Sequence, residues 1–218
     1  MSFAEIRAHR GVLWAEFVGL FLIVPVAVAI FLPPNAMLPV LFSFTALGAW
    51  LLQRTPGFDW SDLKRGWDQV RLLPVLGFAV ITLIVSLGVV YLTAPDAAFG
   101  LVRHQPYLLL LIVLIYPILS ALPQEVIFRP LFFRRYGRIL PAGATMGMNA
   151  AVFSFAHLMY WSAVVAVMTF FGGLVFGWAY ARRGSFPLAV VMHAVAGWVL
   201  FTAGLGVYFY SGNVQRPF

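Results

Sequence analysis

The chain has no cysteine, only 7 acidic residues, and charged side chains at just 10% of its 218 positions. Without cysteine there are no disulfides and no thiolate metal sites, and the redox compartment stays undetermined. Soluble domains carry about 25% charged and about 45–50% apolar residues. Here 62% of the residues are hydrophobic, which excludes an ordinary soluble enzyme, a disordered protein or a nucleic-acid module. Neither internal repeats nor low-complexity tracts are present. A membrane span needs about 20 apolar residues, so the length accommodates roughly seven spans with short connections. The expected fold class is all-α, a polytopic transmembrane helical bundle forming a single integral membrane domain over 1–218.

Apolar runs separate at charged or Pro/Gly-rich breaks, giving expected spans at about 11–32, 36–52, 72–92, 107–133, 142–158, 161–180 and 186–208. The first follows a basic stretch, as a signal peptide would. Pro33-Pro34 and further spans come after it, so it reads as an uncleaved anchor. With the N-terminus cytoplasmic, 12 of the 14 basic residues fall on the inner side: Arg7, Arg10, Arg54, Lys64, Arg65, Arg71, Arg129, Arg134, Arg135, Arg138, Arg182 and Arg183. Only Arg103 and Arg216 fall outside. The net charge of +7 thus reports orientation in a cell (inner) membrane and requires no nucleic acid. The bilayer itself is an implied partner.

Trp60, Leu63, Trp67 and Val70 recur at steps of three and four among charged neighbours. The spacing predicts a short interfacial helix anchored by its tryptophans. Gly143-x-x-x-Gly147 and Gly173-x-x-x-Gly177 permit close helix approach in lipid.

Ionisable groups at membrane depth cost several kcal/mol unless sheltered by protein or water, so they mark function. The charges and histidines outside the loops are Glu16, Glu125, Arg129, His157 and His193. Glu16, near the start of its span, reads as interfacial. Pro123 breaks or kinks the fourth span just before Gln124-Glu125. Glu125 and Arg129 are four apart, hence on one helical face and able to pair. Phe153 lies one turn before His157 on the same face. Glu125 and His157 each lie 16 residues from Pro141, where the hairpin turns. At equal rise that places both roughly 24 Å along their arms, level with each other. His193 follows Arg183 by ten residues, about 15 Å of helix. Gly197, one turn further, leaves space beside its imidazole. A glutamate and two histidines can activate water and stabilise an oxyanion; they can also bind metal or relay protons.

Gln124-Glu125-x-x-x-Arg129, Phe153-x-x-x-His157 and His193, in that order, resemble the CAAX-protease and bacteriocin-processing family, also called the abortive-infection family, of intramembrane endopeptidases. Its motifs read Glu-Glu-x-x-x-Arg, Phe-x-x-x-His and His-x-x-x-Asn/Asp. The motifs lie within about 118–201, and the family-like core extends over about 107–208. Pro123-Gln-Glu125 and Gly204-Leu-Gly-Val-Tyr-Phe-Tyr210 are similar to a bacterial branch with Gln-Glu in place of Glu-Glu.

The resemblance implies peptide-bond hydrolysis in a membrane-associated peptide or protein. Glu125, His157 and His193 are then the catalytic residues, supported by Gln124, Arg129 and Phe153. Glu125 takes the proton of a water held also by His157, and His193 donates to the oxyanion. Two positions depart from the family: Gln124 stands where the first glutamate is usual, and Gly197 where Asn or Asp is. An amide orients water but has no useful basicity. No cofactor is expected; two histidines and one glutamate do not establish zinc. The competing readings are a catalytically inactive member acting as a membrane scaffold or immunity protein, and, behind it, a proton-coupled carrier.

Overall fold

The computed structural model describes residues 3–214, 216 and 217. Among them every regular element is helical, as the composition requires of a chain that must satisfy its backbone polar groups inside lipid. Helix α1 (Phe3–Val18) passes through a wider π-type turn at Gly19–Ile23 into α2 (Val24–Phe31). Then come α3 (Met37–Gln53), α4 (Leu72–Thr93), and the short α5 (Gly100–His104).

A long third apolar stretch runs Pro106–Ile139. It comprises α6 (Pro106–Tyr116), a π turn (Pro117–Ala121), α7 (Leu122–Val126), a π segment (Ile127–Tyr136) and a closing 3-10 turn. Helices α8 (Thr145–Phe155), α9 (Ala163–Ala181), α10 (Phe186–Ala203) and α11 (Gly206–Phe209) follow.

Five stretches among the described residues are long and apolar enough to cross a membrane: Arg10–Phe31, Leu72–Thr93, Pro106–Ile139, Ala163–Ala181 and Phe186–Ala203. The helical bundle expected from composition is therefore present, with five of the seven expected spans reaching spanning length among the described residues. The run at 36–52 forms the 17-residue α3. The run at 142–158 forms only the 11-residue α8. At 1.5 Å per residue α8 reaches roughly 16 Å, about half of a hydrocarbon core. The chain leaves it through His157 and a 3-10 turn at Leu158–Tyr160.

Prolines shape the third stretch without interrupting it. Pro117, Pro123 and Pro130 each lack an N–H and crowd the preceding turn. Widening to π geometry on either side of α7 accommodates them, so the helix continues through Pro123 rather than breaking there.

Helix α10 is the central element: 61% of its most apolar window is buried, against 11% in α4. Its small residues, Ala189, Ala194, Ala196 and Gly197, let neighbours approach closely. Phe17 of α1 and Phe21 of the π turn that follows pack in an aromatic cluster with Phe128, Phe132 and Tyr136. Outward-facing Leu72, Leu73, Ile81 and Ile84 of α4 suit a lipid boundary.

Of the two Gly-x-x-x-Gly patterns, only the second lies at a helix contact. A Cβ on Gly173 would meet the Cα of Ala150 at 2.9 Å, whereas nothing lies within 4 Å of one on Gly147. We therefore expect Gly173→Val to destabilise the α8–α9 contact by about 1–3 kcal/mol, as overpacking does. Thermal unfolding in detergent, with Gly147→Val as the silent comparison, measures this.

The segment between α3 and α4 differs from the interfacial helix expected. It forms two 3-10 turns, Trp60–Lys64 and Trp67–Gln69, separated by Gly66 at φ +83°. Leu63 and Val70 pack toward the core while Trp60 and Trp67 stay exposed, so the apolar residues divide between two faces. Asp62 receives Arg134 at 2.8 Å, and Ser185, the N-cap of α10, donates its hydroxyl to the Gly66 carbonyl at 2.7 Å. The connection is thus fastened to the end of the third stretch and the start of α10. Glu16 holds Arg135 through both oxygens, at 2.7 and 2.8 Å, tying α1 to the same region.

Candidate active site

Gln124 and Glu125 are adjacent in α7, and adjacent residues point about 100° apart around a helix. That angle assigns them different surroundings. Glu125 turns into the bundle and is fully buried. Gln124 turns toward a cleft.

Around Glu125 the structure assembles a closed polar network. Arg129, also fully buried, donates from Nε to Oε2 at 2.7 Å and from Nη2 to Oε1 at 3.3 Å. The i,i+4 pairing expected from spacing is thus present across the junction of α7 with the π segment. His193 of α10 joins through Nδ1, 2.9 Å from Glu125 Oε1. A carboxylate accepts only, so Nδ1 carries the hydrogen. Asn149 of α8 completes the set: its Oδ1 accepts from Arg129 Nη1, and its Nδ2 donates to the Phe128 carbonyl at 2.6 Å. The Arg129 guanidinium lies 5.1 Å from the Phe153 ring centre, and the His193 ring stacks on Phe176 at 4.8 Å. Every charge in this cluster is paired inside an aromatic shell, the condition under which buried ions persist.

His157 sits at the end of α8, where the chain leaves helical geometry. Its Nδ1 lies 2.7 Å from the Phe153 carbonyl. A carbonyl cannot donate, so Nδ1 carries the hydrogen and Nε2 of the neutral ring is left as an acceptor. His157 makes its hydrogen bond to this backbone oxygen and not to Glu125. The ring meets Phe153 at 4.9 Å, which in turn meets His193 at 5.6 Å, so one phenylalanine separates the two histidines.

Two clefts meet beside these residues. One, of about 1430 Å³, lies among α4, α9 and α10 and is lined by Tyr116, Ser120, Gln124, His157 and His193 on its polar side. The other, of about 840 Å³, lies between α1–α3 and the third stretch and also reaches Ser120, Gln124 and His157. Among the described residues no Asp, Glu, Lys or Arg lines either. Gln124 donates from Nε2 to Ser120 Oγ at 2.9 Å, which leaves its Oε1 buried and without a hydrogen-bond partner. The turn at Leu158–Tyr160 borders the clefts, where irregular backbone at membrane depth is tolerated.

The sequence predicts that Glu125, Arg129, His157 and His193 converge; the structure brings Glu125, Arg129 and His193 into direct contact, while His157 bonds to the Phe153 carbonyl instead. His157, Phe153 and Gln124 lie alongside. The expected open space at Gly197 is filled: a Cβ there would collide with the Tyr116 ring, which occupies the position one turn beyond His193. Sequence reasoning also passed over Asn149 and Ser120. A lone asparagine two turns before His157 in an apolar helix was the available signal for the first; a serine one turn before Gln124 carries none.

Among the described residues no three His, Cys, Asp or Glu side chains gather as a metal-binding group. Both Glu125 oxygens and both Nδ1 atoms are already engaged. The arrangement does not fit a zinc site.

The described residues thus form an all-helical bundle of apolar stretches with imidazoles, an amide and hydroxyls around a cleft. Residues 105–199 match the model of the type II CAAX prenyl endopeptidase Rce1-like family, whose members are intramembrane CAAX endopeptidases acting on membrane-associated proteins. The resemblance carried by the motifs is therefore borne out over that segment, which holds every polar site residue from Tyr116 to His193. The comparisons with curated proteins and with solved structures give no match.

Proposed function

We propose that the protein is an intramembrane endopeptidase that hydrolyses a peptide bond of a membrane-associated protein or peptide with a water activated by His157. The observation that carries this reading is that Gln124 and His157 line both clefts, each with an acceptor not used elsewhere. Gln124 Oε1 is buried without a partner, and His157 Nε2 is free because Nδ1 is committed to Phe153. A neutral imidazole lining a cleft with its Nε2 unengaged can take a proton from water.

In the proposed reaction the water oxygen bonds to the scissile carbonyl carbon while His157 Nε2 takes one of its protons. The carbonyl oxygen becomes an oxyanion. When the C–N bond breaks, the proton on His157 passes to the leaving nitrogen, giving a new carboxyl and a new amine. His193, held at Nδ1 by Glu125, serves the oxyanion side when its Nε2 carries a hydrogen. Glu125 therefore acts through His193 rather than as the base: its oxygens are engaged by Arg129 and His193, and it does not line the clefts. Gln124 supplies position without basicity, consistent with an amide at that place.

The uncharged lining of both clefts favours apolar side chains flanking the scissile bond. In reconstituted vesicles the wild-type protein is expected to release the last three residues of a farnesylated peptide ending in a CAAX sequence, detected by mass spectrometry. A wild type that leaves that peptide intact supports the inactive-member reading instead.

A further inference from the structure

Hydrolysis by the proposed route needs at least one hydrogen-bond donor facing the place where the oxyanion forms. The two imidazoles do not guarantee one. In a neutral ring Nδ1 holds the only hydrogen, and both rings spend it elsewhere: His157 on the Phe153 carbonyl, His193 on Glu125. The Gln124 amide spends one of its two N–H donors on Ser120. Of the groups lining this cleft, the hydroxyls of Tyr116, Ser120 and Tyr160 are donors whatever the protonation state of the histidines, and Tyr116 is the one whose ring stands against His193.

Tyr116 is placed with some care. It stands at the C-terminal end of α6, where the helix widens to π geometry at Pro117. Its ring lies across Gly197 so closely that no side chain fits at that position. It meets the His193 ring edge-on, with centres 6.0 Å apart, and Phe201 at the same distance on its other side. It lines the cleft with Ser120, Gln124, His157 and His193, and its hydroxyl neighbours Ser120. A glycine in a central, closely packed helix is costly relative to alanine, by about 1 kcal/mol. Here it admits a phenol beside His193.

We infer that Tyr116 is a catalytic residue, its O–H donating to the oxyanion beside His193, with Gly197 retained to make room for its ring. This rests on the peptidase reading and extends it. In the tetrahedral intermediate the phenol keeps its proton and shares it in a hydrogen bond, so no further proton acceptor is needed.

The test uses Tyr116→Phe, which preserves the ring and its packing on Gly197 and Phe201. On the farnesylated CAAX peptide in vesicles, kcat is expected to fall about 10²–10³-fold, the usual effect of losing one oxyanion donor, with KM within about twofold. A second variant, Tyr116→Ala with Gly197→Asn, puts an amide donor into the vacated space. It is expected to be at least tenfold more active than Tyr116→Ala alone. Thermal unfolding of Tyr116→Phe, expected unchanged, separates catalysis from folding. A Tyr116→Phe protein with wild-type kcat overturns the inference while the peptidase reading stands. A wild type without cleavage removes both.

Discussion

Replacing Arg129 with methionine is expected to cost about 3–5 kcal/mol of stability, the largest effect of any single substitution in the bundle. The side chain is fully buried and bonds simultaneously to Glu125, Asn149 and the Phe128 carbonyl. Removing it leaves the Glu125 carboxylate facing a single imidazole in an aromatic shell, and an uncompensated buried charge is what makes breaking such pairs expensive. Lipid offers that carboxylate no water. Arg129→Lys keeps the charge but loses the two-pronged contact, so it should fall between wild type and methionine. Thermal unfolding in detergent ranks the three. Near-equal midpoints mean that the network adds nothing to the fold. The double variant Glu125→Met/Arg129→Met removes both charges and should recover part of the loss.

The second large effect falls on turnover. His157→Ala is expected to lower kcat by about 10²–10⁴-fold, the range for removing a general base, with the unfolding midpoint little changed. His157 is only partly buried and makes one hydrogen bond to the backbone, so truncating it exposes no buried charge. The contrast with Glu125 is instructive. Glu125→Gln lowers activity by disturbing His193 and also destabilises the protein, because the amide cannot satisfy Arg129 as the carboxylate does. His157→Ala separates chemistry from folding, and Glu125→Gln does not. Activity of His157→Ala within threefold of wild type would place the base elsewhere.

Much of this was legible in the residues. Scarcity of charge announced the membrane, and the same scarcity isolated the few ionisable groups that form the site. Four-residue spacing placed Arg129 on Glu125. Counting from Pro141 suggested that Glu125 and His157 sit level; in the structure Phe153 meets both His157 and Arg129, the partner of Glu125.

What counting could not supply was rotation. One residue shifts a side chain by about 100°, so Gln124 and Glu125 differ completely in environment while sharing a height. The π segments on both sides of α7 change rise and turn per residue, which makes the facing of either residue unpredictable from spacing. The Tyr116–Gly197 contact joins residues 81 apart, and no local pattern announces it. The length of α8 was overestimated for a different reason. Apolar composition continues through Ala156 and Leu158, but the backbone leaves the helix at His157 to border the clefts.

The central claim is that a water molecule at the Gln124–His157 junction attacks a peptide bond. Incubating the reconstituted wild-type protein with a farnesylated CAAX peptide in ¹⁸O-labelled water tests it most directly, with the cleaved fragments weighed by mass spectrometry. The account predicts one internal cleavage, with a single ¹⁸O in the newly formed carboxyl group and loss of that product in His157→Ala. An intact peptide, or equal labelled product from wild type and His157→Ala, would contradict it.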